Sequence, residues 1–205
     1  MLCAGFREIK EGDFGKVTDL LNTYLSSYKL HQHFSEAEVK HFLSPKEDLV
    51  YVYVVEGEDG ELTDLCSFYC LPSSILNHHE HTELRAAYMC ALPRQSLCLF
   101  RHVFALSDHT VACLFVMEVE NTASVCCRYY TAAGATPMKQ LLNDALIKAR
   151  DHRFDVFNAL DVLENTKDLL AELKFGIGDG NLHYYMFNWR MHEQLQPREV
   201  GLILM

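Results

Sequence analysis

The chain has 205 residues, 49% of them hydrophobic, and a net charge of -10 from 28 acidic and 18 basic side chains. Such a chain can bury a core as one large domain or two small ones, and its acidity argues against a nucleic-acid footprint and for a partner carrying positive charge. The longest apolar run, from Val111 to Met117, is far below the roughly 20 residues that span a bilayer.

The start, Met-Leu-Cys-Ala-Gly-Phe-Arg-Glu, lacks the basic residues and apolar stretch of a secretory signal, so a cytoplasmic chain is expected. The eight cysteines form no paired C-x-x-C units and are read as reduced thiols. His78, His79 and His81 lack nearby ligands at metal-site spacing and are read as a surface turn, with no metal required.

In chain order, Asp13 is placed to cap a helix whose apolar residues Val17, Leu20, Leu21, Tyr24, Leu25 and Tyr28 recur at i, i+3, i+4 and i+7. Ser35-Glu-Ala-Glu38 reads as a capping box for a second helix that stops before Pro45. Val50 to Glu56 and Leu62 to Cys70, joined by Gly57-Glu-Asp-Gly60, read as a β-hairpin. Thr136 and Pro137 supply an N-cap and first-turn proline for a third helix, buried along Leu141, Leu142, Ala145, Leu146 and Ala149. A strand over 154–160, a short helix over 165–174 ended by Gly176, a strand over 182–189 and a last strand over 199–204 complete the order. These elements predict an α/β fold in which helices cover a mixed, largely antiparallel sheet.

Residues 91–127 fit nothing around them. With Cys90 the stretch holds five of the eight cysteines and has no lysine. It reads either as an atypical insertion or as translated intron, since long structureless insertions inside compact domains are uncommon.

The segment Lys174-Phe-Gly-Ile-Gly-Asp-Gly180, followed by Asn181 to Trp189 and an apolar end at Met205, resembles a signature of the glycylpeptide N-tetradecanoyltransferase (N-myristoyltransferase) family. Phe154-Asp-Val-Phe-Asn-Ala-Leu-Asp161, Ser67 to Asn77 and Ala86-Ala-Tyr88 stand in that family's order. The resemblance implies a half-barrel of acetyltransferase-like (GNAT) type. It also implies transfer of myristate from myristoyl-CoA, as co-substrate, to the N-terminal glycine of peptides and nascent proteins. It covers residues 4–90 and 128–205, corresponding to the family's C-terminal, peptide-binding half; no stretch resembles the half that carries most of the acyl-CoA site. A single C-terminal domain over 1–205 is therefore expected.

By the same resemblance the base is the carboxylate of Met205, while Ser67, Tyr88, Asn158, Asp179 and Gly180 shape the peptide site. The residues alone leave blander alternatives open. The tail Val200-Gly-Leu-Ile-Leu-Met205 has no charged side chain, unlike most frayed termini, and is either a buried end or a last strand whose carboxylate meets water. Gly176, Gly178 and Gly180 have G-x-G-x-G spacing ahead of a strand, which is no dinucleotide fingerprint; they line a ligand or turn a connection tightly. No Ser-His-Asp or Cys-His order is recognisable. The rival functional reading is a glycine-peptide-binding module that transfers nothing, and a generic GNAT acetyltransferase is a third.

Overall fold

The computed structural model describes residues 2–70, 73–74, 83–84, 110–118, 125–154, 156–184 and 192–203, with backbone alone at 73–74, 83–84, 110–118, 125–130 and 178–183. Strand β1 (Phe6–Glu8) leads through a 3-10 turn into α1 (Phe14–Leu25), then β2 (Leu30–His31), α2 (Glu36–Leu43), β3 (Val50–Glu56) and β4 (Leu62–Cys70). Strands β5 (Ser73–Ser74), β6 (Glu83–Leu84), β7 (Thr110–Glu118) and β8 (Val125–Ala133) come next. They are followed by α3 (Met138–Asp151), β9 (Val156–Leu160), α4 (Lys167–Glu172), β10 (Gly176–Tyr184) and β11 (Val200–Gly201).

Seven strands form one sheet in the order β1-β3-β4-β8-β9-β7-β10; β5 pairs β6 and β11 pairs β2 in two small ladders. Every neighbouring pair of the large sheet is antiparallel except β8 with β9, so the mixed, largely antiparallel sheet read from the element order is present. Parts of the stretch read as an insertion, β7 and the first residues of β8, lie in this sheet: β7 is hydrogen-bonded between β9 and β10. Residues 91–109 and 119–124 lie outside the described residues.

The two faces of the sheet carry separate cores. Val17, Leu21 and Leu25 of α1 and Val39 and Leu43 of α2 pack on Val52, Val54, Leu65, Tyr69 and Leu160. Leu141, Leu142, Ala145 and Ala149 of α3 and Leu170 of α4 pack on Tyr53, Val55, Cys66, Phe68, Phe157 and Ala159 on the other side. Alternation along β3, β9 and the 64–70 stretch of β4 sends neighbouring residues to opposite cores, as a sheet buried on both faces requires.

Local chemistry explains the element ends, with three departures from expectation. Ser35 caps α2 in a reciprocal box with Glu38, as its sequence predicts. Asp13 makes no side-chain cap to α1; its carboxylate accepts from the N–H of Lys10 and from Arg7. Thr136 does not cap α3, whose N-cap is Pro137, because its hydroxyl donates to Asp64 of β4 at 2.8 Å. Finally, α4 ends before Gly176. Lys174 takes the left-handed conformation (φ 68°), its N–H donates to the carbonyl of Ala171, and that of Phe175 donates to Leu170. That is a Schellman closure, which leaves Gly176 free to start β10. The same closure ends α3, with Arg153 at φ 59° and the N–H of Phe154 donating to Ala149.

Candidate functional site

Ser67 and Asn158 reach the same face of the sheet from different strands. On β4, Leu65 and Tyr69 belong to the core under α1 and α2, and Ser67 alternates with them. On β9, Leu160 belongs to that core while Phe157 and Ala159 belong to the opposite one, so Asn158 shares the face of Ser67. Both are buried, at 0% and 5% exposure. Tyr184, the last residue of β10, packs against the same core.

Two irregularities in the ladders coincide with expected site residues. Cys66 pairs Thr131 and Phe68 pairs Arg128, so Ser67 faces two residues of β8, Tyr129 and Tyr130, across a β-bulge. On β10, Ile177 pairs Phe115 and Asn181 pairs Cys113. Gly178, Asp179 and Gly180 therefore oppose Leu114 alone. Bulges of this kind re-aim the backbone and gather next to functional sites. The glycine-rich signature is thus an out-bent stretch inside a strand, flanked by an Ile177 that is 81% exposed. Tyr88 and Met205 lie outside the described residues, as do His78, His79 and His81.

The parallel pair also opens here. β8 and β9 pair from Val125–Val156 to Cys127–Asn158; beyond that point β8 continues beside β4 and β9 beside β7. Asn158 stands at the last shared rung. A fork between two parallel strands leaves backbone N–H and C=O groups facing each other without a ladder between them, a setting that accepts an extended ligand by hydrogen bonding.

The chain end returns to this face. Val200 and Gly201 pair in parallel with Leu30 and His31, and Val200 is fully buried. The hydroxyl of Tyr184 donates to the carbonyl of Leu202 at 2.9 Å, and Ile203, 3% exposed, joins the core that contains Tyr69 and Leu160. Before the tail turns inward, Lys29 holds Glu199 at 2.8 Å. The backbone N–H of Gln196 and then the Lys29 ammonium keep the Glu199 carboxyl below its ordinary range.

A concavity of about 320 Å³ lies at the start of β3 between Glu8, Asp48, Tyr51 and His152 and includes none of the expected site residues. Among the described residues no group of His, Cys, Asp and Glu is placed to hold a metal ion, and no helix is long and apolar enough to cross a membrane.

The fold agrees with the comparisons to known proteins. A family model described as Myristoyl-CoA:protein N-myristoyltransferase, C-terminal domain, matches residues 1–203. The chain belongs to that family. It is 41% identical over 202 residues to glycylpeptide N-tetradecanoyltransferase 1 of Arabidopsis thaliana, covering 98% of this chain and 37% of the relative. It is 39% identical over 201 residues to the Drosophila melanogaster glycylpeptide N-tetradecanoyltransferase, covering 98% and 34%. The fold matches the crystal structure of the Saccharomyces cerevisiae N-myristoyltransferase with bound myristoyl-CoA at a TM-score of 0.74 and 27% identity, over 99% of this chain and 47% of that one. The resemblance read from the KFGIGDG segment is borne out, as is the GNAT-like fold. The chain spans little more than a third of the length of these curated relatives.

Sequence reasoning missed the residues that hold the tail of this N-myristoyltransferase domain. Tyr28 reads only as the last apolar residue of the first helix, whose observed end at Leu25 it lies beyond, and Tyr184 only as part of the strand over 182–189; nothing local marks a tyrosine that meets a chain end far away in sequence.

Proposed function

We propose that this chain is the peptide-binding half of a cytoplasmic protein N-myristoyltransferase, with the Met205 carboxylate as general base and Ser67, Tyr88, Asn158, Asp179 and Gly180 shaping the site for glycine-initiated peptides and nascent proteins. The observation that carries this reading is the return of residues 200–203 to the sheet face bearing Ser67 and Asn158.

The N-terminal ammonium of the peptide gives one proton to the carboxylate. The freed amine attacks the thioester carbonyl of myristoyl-CoA, the C–N bond forms, the C–S bond breaks, and coenzyme A leaves as the thiol with the second proton. A free carboxylate near pKa 3.5 is a weak base for an amine near 7.8. Burial raises the first and lowers the second, so the gap narrows in a dry site. Ser67 and Asn158 supply a hydroxyl and an amide to orient an extended peptide backbone, and the out-bent Gly178-Asp179-Gly180 stretch offers close backbone approach and a carboxylate for polar or basic peptide groups.

The rival reading is a binding module that holds the glycine peptide without acylating it. Loss of oxyanion donors supplied by another half costs about 3 kcal/mol per donor. Transfer of labelled myristate to a glycine-initiated peptide separates the two readings, measured with the chain alone and with a version extended beyond Met205, alongside peptide binding by calorimetry. Transfer abolished by the extension is the expected result for the first reading. Binding with no transfer from either form establishes the module, and neither binding nor transfer overturns both.

A further inference from the structure

Residues 199–203 are each secured by a different part of the fold. Glu199 is held by Lys29 at 2.8 Å. Val200 and Gly201 are held by Leu30 and His31, and the carbonyl of Leu202 by the Tyr184 hydroxyl at 2.9 Å. Ile203 is held by the core. Gly201 lies directly under the ring of Tyr28: a Cβ added there would come within 2.8 Å of both Cβ and Cγ of that tyrosine. These are the stiff root of the side chain, so a larger residue displaces the tail itself. The Tyr28 ring is in turn braced by Tyr24, with the two hydroxyls 3.1 Å apart.

Burial of Ile203 alone would keep an apolar end from fraying, and a two-residue ladder adds little rigidity. The hydroxyl of Tyr184 and the glycine-only contact with Tyr28 do something burial does not: they set the direction and rotation of the main chain at residues 201 and 202. We propose that Tyr28 and Tyr184 are positioning residues that aim the C-terminal carboxylate at the peptide site on the face of Ser67 and Asn158. This rests on the Met205 carboxylate acting as base. A base must sit within hydrogen-bond reach of its proton, and about 1 Å of misplacement costs on the order of a hundredfold in rate.

The test uses the whole 205-residue chain labelled with carbonyl-13C methionine, following the terminal carboxyl by NMR through a pH titration. Buried Met138 of α3 reports the fold in the same spectra. In the unaltered chain the Met205 carboxyl is expected to titrate well above about 3.5. Tyr184→Phe is expected to return it to about 3.5, with Met138 unmoved. An ordinary titration in the unaltered chain defeats the base reading together with this inference. A raised titration that Tyr184→Phe leaves in place overturns the positioning role and spares the base. Should Tyr184→Phe disturb Met138, Gly201→Ala displaces the tail from Tyr28 instead, and the same two outcomes decide. In active enzyme, Tyr184→Phe is expected to lower kcat about tenfold or more with peptide KM unchanged; an unchanged kcat would overturn the positioning role.

Discussion

The carboxylate of Asp64 on β4 grips Thr136 twice, accepting from its backbone N–H at 3.0 Å and from its hydroxyl at 2.8 Å. It also accepts from the N–H groups of Gly134 and Ala135 at 2.8 and 3.2 Å and from the Thr63 hydroxyl at 2.7 Å, and it is fully buried. Asp64 thereby folds the turn that delivers α3 to the sheet. Asp64→Ala strands those donors and is expected to lower unfolding free energy by about 3 kcal/mol. Asp64→Asn keeps one acceptor and is expected to cost about half as much; equal losses in urea denaturation would reduce Asp64 to a space filler.

The paired Schellman closures make a prediction of opposite sign. Arg153 and Lys174 hold left-handed backbone that only glycine adopts without cost. Arg153→Gly and Lys174→Gly should each stabilise the chain by about 0.5–1 kcal/mol. Alanine at the same positions keeps the strain and serves as control. Thermal melts showing no difference between glycine and alanine would refute the argument.

Cys3 should be slow to alkylate. Burial first, and then its hydrogen bond to the buried Asp144, pushes its thiol up to about 12 from 9.0, so at pH 8 the thiolate fraction falls about a thousandfold. The greater nucleophilicity of a more basic thiolate recovers part of that. Modification of Cys3 by iodoacetamide, followed by peptide mass spectrometry, should run at least about thirtyfold slower than in the unfolded chain, and Asp144→Asn should speed it.

Stability below pH 4 should depend on Asp13. Its hydrogen bond with Arg7, then the N–H of Lys10, holds its carboxyl below the ordinary 3.8. A depressed folded value stabilises the fold fully above the unfolded value, and this contribution is lost as pH falls through the folded one. In urea titrations between pH 2 and 6, Asp13→Asn should flatten the decline below about pH 4; an unchanged slope would dismiss the linkage.

Asn158→Leu removes an amide from the last rung shared by β8 and β9 and should weaken glycine-peptide binding about tenfold, as loss of a buried hydrogen bond implies, while circular dichroism stays the same. Undiminished affinity in calorimetry would remove Asn158 from the site.

Local signals were legible and distant ones were not. The Ser35–Glu38 box, the β3–β4 hairpin and the faces of α1 and α3 are written in residues a few positions apart, and the structure follows them. Asp64 and Thr136 lie 72 residues apart, so the threonine reads as a helix cap until β4 is placed beside α3. Phe6–Glu8 is too short to announce β1, and Lys174 pre-empts Gly176 because tertiary packing of Phe175 on Leu170 overrides its local preference. At the site, the KFGIGDG segment marks the family, but the common face of Ser67 and Asn158 appears only once strand pairing is known.

The two bulges differ in parity, and that sets how each strand tolerates a change in length. β8 carries one surplus residue opposite Ser67. Deleting Tyr129 or Tyr130 would remove the bulge and leave a regular ladder, with Ala132 still in the core under α1 and Ala133 still packed toward α3. β10 carries two surplus residues at Gly178-Asp179-Gly180, an even number, so removing both leaves Gly176 and Tyr184 in their present alternation. The glycine-rich stretch is therefore a place where the chain can be shortened by two without inverting the sheet, and its counterpart beside Ser67 is one where a single residue can be lost to the same effect.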